Sequence, residues 1–377
     1  MKNKFFTSFL PLIVVFFFCF SLLGCRNTGF VEKYYDDFFG SSVTAVFKGE
    51  SVGQINSAWN DACSYLDNLK SKISIDILSS DISKFNYATS GTEIEISKLT
   101  YDVLSVSKSA HKNTKGYFDP TVSMSSDLYG FSPRFSSLGY TPLSAYDRVQ
   151  NEDGGFELPD EKYISAFKTL IDFDKVEVSS VNESFFVKKN CPSAVVDGVS
   201  YEQRLDLSGI IKGYAADEVK KIFDENFLKS YYLSFGSSSL YLGENSGKTW
   251  DLKVTDPSSS LRSTLCQISL QNQFVSTAGV YEQNYTTQSG VFCHHIIDPF
   301  LGKPAETDIL SVTVIGGDCA TSDALSTALV ALDSKSAIDF VHENSQLDYI
   351  LITQDKIVYS TLEFSFPVDS AYTLKSL

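Results

Sequence analysis

The chain has 377 residues, with 31 basic and 46 acidic side chains and a formal charge of −15. That balance argues against nucleic acid or anionic lipid as a partner, because both would repel it. The length alone allows two domains, and 29 Phe with 20 Tyr favour a sheet-rich protein.

In chain order, the first segment is a leader. Two lysines precede an almost wholly apolar run from Phe5 to Leu23, which closes on small residues before Cys25, the pattern of a secretory signal. Leu22-Leu23-Gly24-Cys25 resembles a bacterial lipobox, which implies cleavage before Cys25 and a lipid on its sulfur. A transmembrane anchor is the alternative, since the run approaches spanning length. Either way the folded part is expected outside the cytoplasm. Cys63, Cys191, Cys266, Cys293 and Cys319 then remain, in no metal-knuckle spacing; a disulfide is permitted but not implied.

Residues 25–36 read as a tether. Alternation predicts a strand over 42–47, and helical spacing of Ile55, Trp59, Ala62 and Leu66 predicts a helix over 51–69. A second helix is expected over 94–110. Residues 132–161, rich in Ser, Pro, Gly and Asp, read as a long exposed loop. A hairpin is expected from 173–178 and 185–188, then a polar excursion over 190–204. A helix follows over 208–222, then single strands over 231–243, 249–254, 263–275 and 311–315. Helices over 321–332 and 336–344 and a hairpin of 349–352 with 356–360 complete the set. Strands and helices mix without a βαβ period, which favours an α+β fold in one domain.

Four segments carry chemistry. Gly116-Tyr117-Phe118-Asp119-Pro120-Thr121-Val122 follows a helix, and by itself is ordinary turn punctuation. Leu205–Tyr214 passes through Ser208-Gly209 into a helix, exposing backbone N–H groups that favour an anion. Lys212, in that helix's first turn, opposes the dipole; a bound phosphate would account for it, and free solvation is the simple alternative. In Ser322–Leu329, Asp323 and Thr327 are four apart, so both oxygens can reach one hard cation. The plainer reading of Asp323 is a favourable first-turn acid. Cys293-His294-His295-Ile296-Ile297-Asp298-Pro299 holds two of the chain's four histidines. Histidine serves readily as proton carrier or ligand; a strand end with one ring merely hydrogen-bonded is an equal alternative. No Walker loop, Ser-His-Asp order, zinc knuckle or Rossmann fingerprint is present.

Taken together, these segments resemble the ApbE family. The marks are Gly116–Val122, Asp206-Leu207-Ser208-Gly209-Ile210-Ile211-Lys212-Gly213-Tyr214-Ala215-Ala216-Asp217, His294–Pro299, Gly302-Lys303-Pro304-Ala305 and Ser322–Ala328. Weaker matches are Ile82-Ser83-Lys84-Phe85-Asn86, Leu128-Tyr129-Gly130-Phe131 and Phe173-Asp174-Lys175-Val176, so the likeness spans about Phe39 to Phe364. It implies an exported lipoprotein: a signal peptide over 1–24, a lipidated tether over 25–36, and an α+β domain over 37–377 with mixed, mostly antiparallel sheets flanked by helices.

The implied reaction is Mg²⁺-dependent transfer of FMN from FAD to a Ser or Thr hydroxyl, releasing AMP. The implied acceptors are extracytoplasmic proteins of Rnf-type or sodium-pumping quinone reductase (Nqr-type) redox complexes. By the resemblance, Asp323 and Thr327 give metal oxygens, helped by the carbonyls of Gly209 and Ser326. Lys212 lies near the phosphates and Asp206 near the adenosine half. Phe39, Tyr117, Phe118, Asp119 and Ile297 line the FAD pocket. His295 carries the proton of the attacking hydroxyl, and Asp298 orients it or the loop.

The chain departs from the family at Gly236-Ser237-Ser238, where Gly-Gly-Asn is usual. It departs again at Gly279-Val280-Tyr281-Glu282-Gln283, which lacks the usual Asp and Arg. Two other readings therefore stand beside transfer: a Mg²⁺-dependent FAD pyrophosphatase giving FMN and AMP, and a non-catalytic flavin-binding lipoprotein.

Overall fold

Nine strands meander in chain order across one sheet: β1 (Phe30–Phe38), β2 (Ser41–Lys48), β3 (Tyr231–Phe235), β4 (Ser239–Leu242), β5 (Gln273–Gly279), β6 (Ile309–Ile315), β7 (Asp348–Thr353), β8 (Ile357–Ser360) and β9 (Thr373–Ser376). Neighbours run antiparallel except β8 and β9, which are parallel. The computed structural model describes residues 29–131, 156–259, 261–367 and 370–377. The expected leader, Cys25 and most of the expected 132–161 loop lie outside the described residues.

Eight helices are described: α1 (Val52–Ile73), α2 (Asp81–Tyr87), α3 (Lys98–Asn113), α4 (Ser123–Leu128), α5 (Glu161–Lys168), α6 (Ser208–Glu225), α7 (Cys319–Val330) and α8 (Ser334–Glu343). Successive strand residues point to opposite faces, and each face finds its own cover. Phe274, Tyr349 and Leu351 join the cores under the helices, while Val275, Ile350 and Ile352 pack against the hairpin of Trp250–Thr255 and Thr264–Leu270. A separate cluster, with Met124, Leu128, Phe167 and Tyr201, gathers α4 and α5 beside the strand Phe292–His294.

Helices α6 and α7 meet at backbone distance. Gly209, Gly213 and Asp217 are four apart, so they share one face of α6. A Cβ at Gly213 would collide with the carbonyl of Cys319 and lie 2.8 Å from Cβ of Asp323. Asp217 accepts the amides of Cys319 and Ala320, each at 2.9 Å, at the N-terminus of α7, where Asp318 accepts the Thr321 amide at 2.7 Å. Burial pushes its carboxyl up to about 6.

Four expectations need correction. Residues read as tether are strand from Phe30 onward, the sheet's edge. The helix expected from 94 begins at Lys98, because Glu93–Ile96 pairs with Ser184–Lys189 in a three-stranded sheet completed by Val176–Val181. The spans 231–243 and 263–275 each hold two strands, broken at Gly236 and Asn272, both with positive φ. The polar excursion contains a hairpin of Ala194–Val196 and Val199–Tyr201, turning at Asp197-Gly198. All five cysteines named above are free.

Gly213→Ala is expected to destabilise the fold by about 3 kcal/mol, since the clash is with backbone that cannot yield. Urea unfolding reads this; a loss below about 1 kcal/mol would show that the helices can separate cheaply.

Candidate active site

The turn after α3, the first turn of α6, the β3–β4 turn, the end of β5 and one face of α7 surround a cavity of about 450 Å³. Phe39, Tyr117, Phe118, Asp119, Asp206, Gly209, Lys212, His295, Ile297, Asp323 and Thr327 all line it. Asp298 and Ser326 do not.

At its floor, Asp323 is only 5 % exposed. One carboxylate oxygen accepts the Gly213 amide at 3.0 Å. The other accepts the hydroxyls of Ser276 at 2.9 Å and Ser239 at 3.1 Å. The Gly213 amide thus reaches sideways out of α6 to a carboxylate on the neighbouring helix. Burial pushes the Asp323 carboxyl above its ordinary range, against the pull of the Lys212 charge and these three donors.

Ser239 and Ser276 are direct partners across β4 and β5, both fully buried. Sequence reading missed their joint role. The signal was a serine at an inward position of an otherwise apolar alternation, Phe274-x-Ser276 and Ser239-x-Tyr241. Thr327 Oγ1 and Ser326 Oγ both donate to the Asp323 carbonyl, at 3.3 and 2.9 Å. A Cβ at Gly209 would lie 4.0 Å from Thr327 Oγ1 and 3.4 Å from the Phe118 ring. The bare Gly209 therefore lets these three groups converge.

The tandem histidines part company. His294 is buried; its Nε2 donates to the Ala305 carbonyl at 2.9 Å and its Nδ1 accepts the Ile296 amide at 3.3 Å. His295 lines the cavity, and its Nδ1 lies 3.4 Å from the Gln283 carbonyl. A carbonyl can only accept, so Nδ1 carries the hydrogen and Nε2 the lone pair. Burial, then the neighbouring His294 and the Lys212 charge, push its pKa down to about 4. Asp298 serves the loop: its carboxylate accepts the amides of Phe300 at 2.7 Å and Leu301 at 3.1 Å.

The aromatic wall is built from turns. Phe39 sits at positive φ between β1 and β2, its ring edge-on to Phe38. Tyr117 meets Phe300 edge-on at 4.9 Å. The carboxylate of Asp119 is already engaged, accepting the Thr121 amide at 2.7 Å and the Phe173 amide at 3.1 Å. Asp206 accepts the Ser208 amide at 2.9 Å, shaping the entry to α6.

A buried carboxylate, a lysine just past the first turn of a helix and a neutral histidine in one aromatic-walled cleft define a site for an anionic, ring-bearing ligand. The chain belongs to the ApbE family, whose model matches residues 39–351. It is 26% identical over 332 residues to the FAD:protein FMN transferase of Haemophilus influenzae, covering 87% of this chain and 85% of that one. The enzyme of the same name from Buchnera aphidicola is 27% identical over 259 residues, 68% of this chain and 67% of its own. Among solved structures, the flavin transferase ApbE from Vibrio cholerae superposes with a TM-score of 0.68 at 21% identity, covering 86% of this chain and 94% of that one. Pseudomonas stutzeri flavinyl transferase ApbE in its apo form gives 0.69 at 19%, with coverages of 88% and 94%.

His294→Ala is expected to cost about 2–4 kcal/mol in urea unfolding, because it orphans buried groups. His295→Ala should cost less than about 0.5 kcal/mol. Equal losses would contradict the division between the two rings.

Proposed function

We propose that this chain, like the relatives it resembles, is an FAD:protein FMN transferase. It would move FMN from FAD to a Ser or Thr hydroxyl of an extracytoplasmic redox-complex protein of the Rnf or Nqr type, and release AMP. The observation that carries this reading is the convergence of Asp323, Thr327, Lys212 and His295 on one cleft within an ApbE-family chain.

The donor set fits magnesium. Among the described residues no three His, Cys, Asp or Glu side chains gather as a metal cage. Mg²⁺ instead favours one or two carboxylates, other oxygens and substrate phosphates. Asp323 and Thr327 would hold it, with the Gly209 carbonyl, whose residue lines the same cleft. Bound Mg²⁺ would neutralise charge on the pyrophosphate and the departing AMP.

The chain's own groups supply the rest. Lys212 places a positive charge beside the phosphates. Phe39, Tyr117, Phe118 and Ile297 give the apolar wall for the rings, and Asp206 the polar end for the adenosine half. His295 Nε2 accepts the proton of the attacking hydroxyl, and its ring is ready as a neutral base at every pH above about 4. Attachment to the membrane, facing the periplasm or cell exterior, would rest on a lipid at Cys25. Among the described residues no helix is long and apolar enough to cross a membrane.

The test incubates the chain with FAD and Mg²⁺, with and without an acceptor domain, reading in-gel flavin fluorescence and AMP. Labelled acceptor with AMP is the expected result. AMP without labelling would point to hydrolysis, and neither product despite FAD binding would sink the enzyme reading.

Asp323→Ala is expected to lower turnover by about 100-fold or more. His295→Ala should slow transfer by about 100-fold while FAD affinity changes little. A lowered histidine pKa moves the acid limb of the rate profile down, so transfer should fall near pH 4 and not near 6.5. An acid limb at 6.5 that survives in His295→Ala would assign the base elsewhere.

A further inference from the structure

Between Tyr201 and α6, residues 202–207 have no regular secondary structure, yet Gln203, Leu205 and Leu207 are buried. Buried backbone must find hydrogen-bond partners, and here side chains supply them. The Asn86 amide group clasps Leu205 on both sides, donating to its carbonyl at 3.0 Å and accepting its amide at 2.8 Å. Lys189 is fully buried, and its ammonium donates to the Gln203 carbonyl at 2.7 Å, with the Asn86 carbonyl at 3.5 Å. The same ammonium lies over the Phe85 ring, 4.5 Å from its centroid. Among the described residues no carboxylate lies within ion-pair distance of Lys189; two carbonyls and a ring face surround its amine, and burial lowers its pKa to about 7 against the pull of the Glu202 carboxylate.

This ribbon runs straight into the cleft. The Asp206 amide donates to the Pro120 carbonyl at 2.9 Å, tying it to the aromatic turn. Ser208, Gly209 and Lys212 follow, and all three line the cavity, whereas Asn86 and Lys189 do not. A buried ammonium is costly, and an apolar side chain would fill the same space more cheaply. Local rules are broken in this way chiefly where function needs a fixed geometry.

We infer that Lys189 and Asn86 are positioning residues: they fix the ribbon 203–207, and through it the place of Asp206, Gly209 and Lys212 in the FAD cleft. The inference rests on the flavin reading of that cleft. Neither side chain lines the cleft. Their effect passes through Gln203 and Leu205 backbone groups alone.

The test compares Lys189→Met, which removes the donor, with Lys189→Gln, which keeps a neutral one. FAD affinity is read by fluorescence quenching and amide exchange at Leu205 and Asp206 by mass spectrometry. Lys189→Met should weaken FAD binding about ten-fold and speed exchange at both amides, as loss of an outer support does. Lys189→Gln should restore most of both. Lys189→Met binding FAD within two-fold of the wild type, at about that level of measurement error, would overturn the inference.

Should Lys189→Met fail to fold, the wild-type chain still decides. Saturating FAD should slow exchange at Asp206 and Leu205 more than in the strands 93–96 and 176–181; an equal change in both places would overturn the proposal. A wild-type chain that binds no FAD would instead sink the flavin reading, while faster exchange at 205–206 in Lys189→Met would still uphold the support of the ribbon.

Discussion

The carboxylate of Asp323 stands where it does because Gly213 has no side chain. Two helices can meet at backbone distance only across such a residue, and the amide exposed there becomes a donor to the buried acid. From this contact the rest of the site follows. α7 is held in register by Asp217, one turn further along the same face of α6, which answers its first amides. Gly209, one turn back, opens space toward Thr327 and Phe118. The sheet adds Ser239 and Ser276 from below, so the acid is held by donors from one helix and two strands.

That arrangement sets the electrostatics. Asp323 is buried among neutral donors, with Lys212 as the charge it feels most strongly. The same lysine helps hold His295 in its neutral form. One cation therefore bears on both groups to which we give roles, the oxygen ligand and the proton acceptor. In the tandem histidines, the strand's last residue sends its ring into the core and the residue just past its end faces the cleft, so a shared motif divides into structural and chemical halves.

Much of this was legible in the sequence, and unevenly so. Helices α1, α6 and α7 announce themselves through spacing that depends only on neighbours along the chain. The motifs at 116–122, 206–217, 294–299 and 322–328 marked the cleft's wall before any geometry was known. What escaped depends on pairing. Ser239 and Ser276 meet only because β4 and β5 pair in one register, which no local pattern declares. The start of α3 was misjudged because Ile94 and Ile96 continue an apolar spacing that suits helix and strand alike. The hairpin at 194–201 did carry a local sign, Asp197-Gly198 with both residues at positive φ, the commonest of short-turn pairs. Asp298 illustrates a different limit: a carboxylate two residues before Phe300 can orient a ring or cap a turn, and only coordinates distinguish them.

We propose that Asp323, placed by Gly213, is the oxygen ligand on which the flavin reaction turns. Calorimetric titration of Mg²⁺ into the chain in the presence of FAD tests this most directly. The wild-type chain should bind the metal saturably, and Asp323→Ala should lose that binding while still taking up FAD. An Asp323→Ala chain that titrates with Mg²⁺ like the wild type would contradict it.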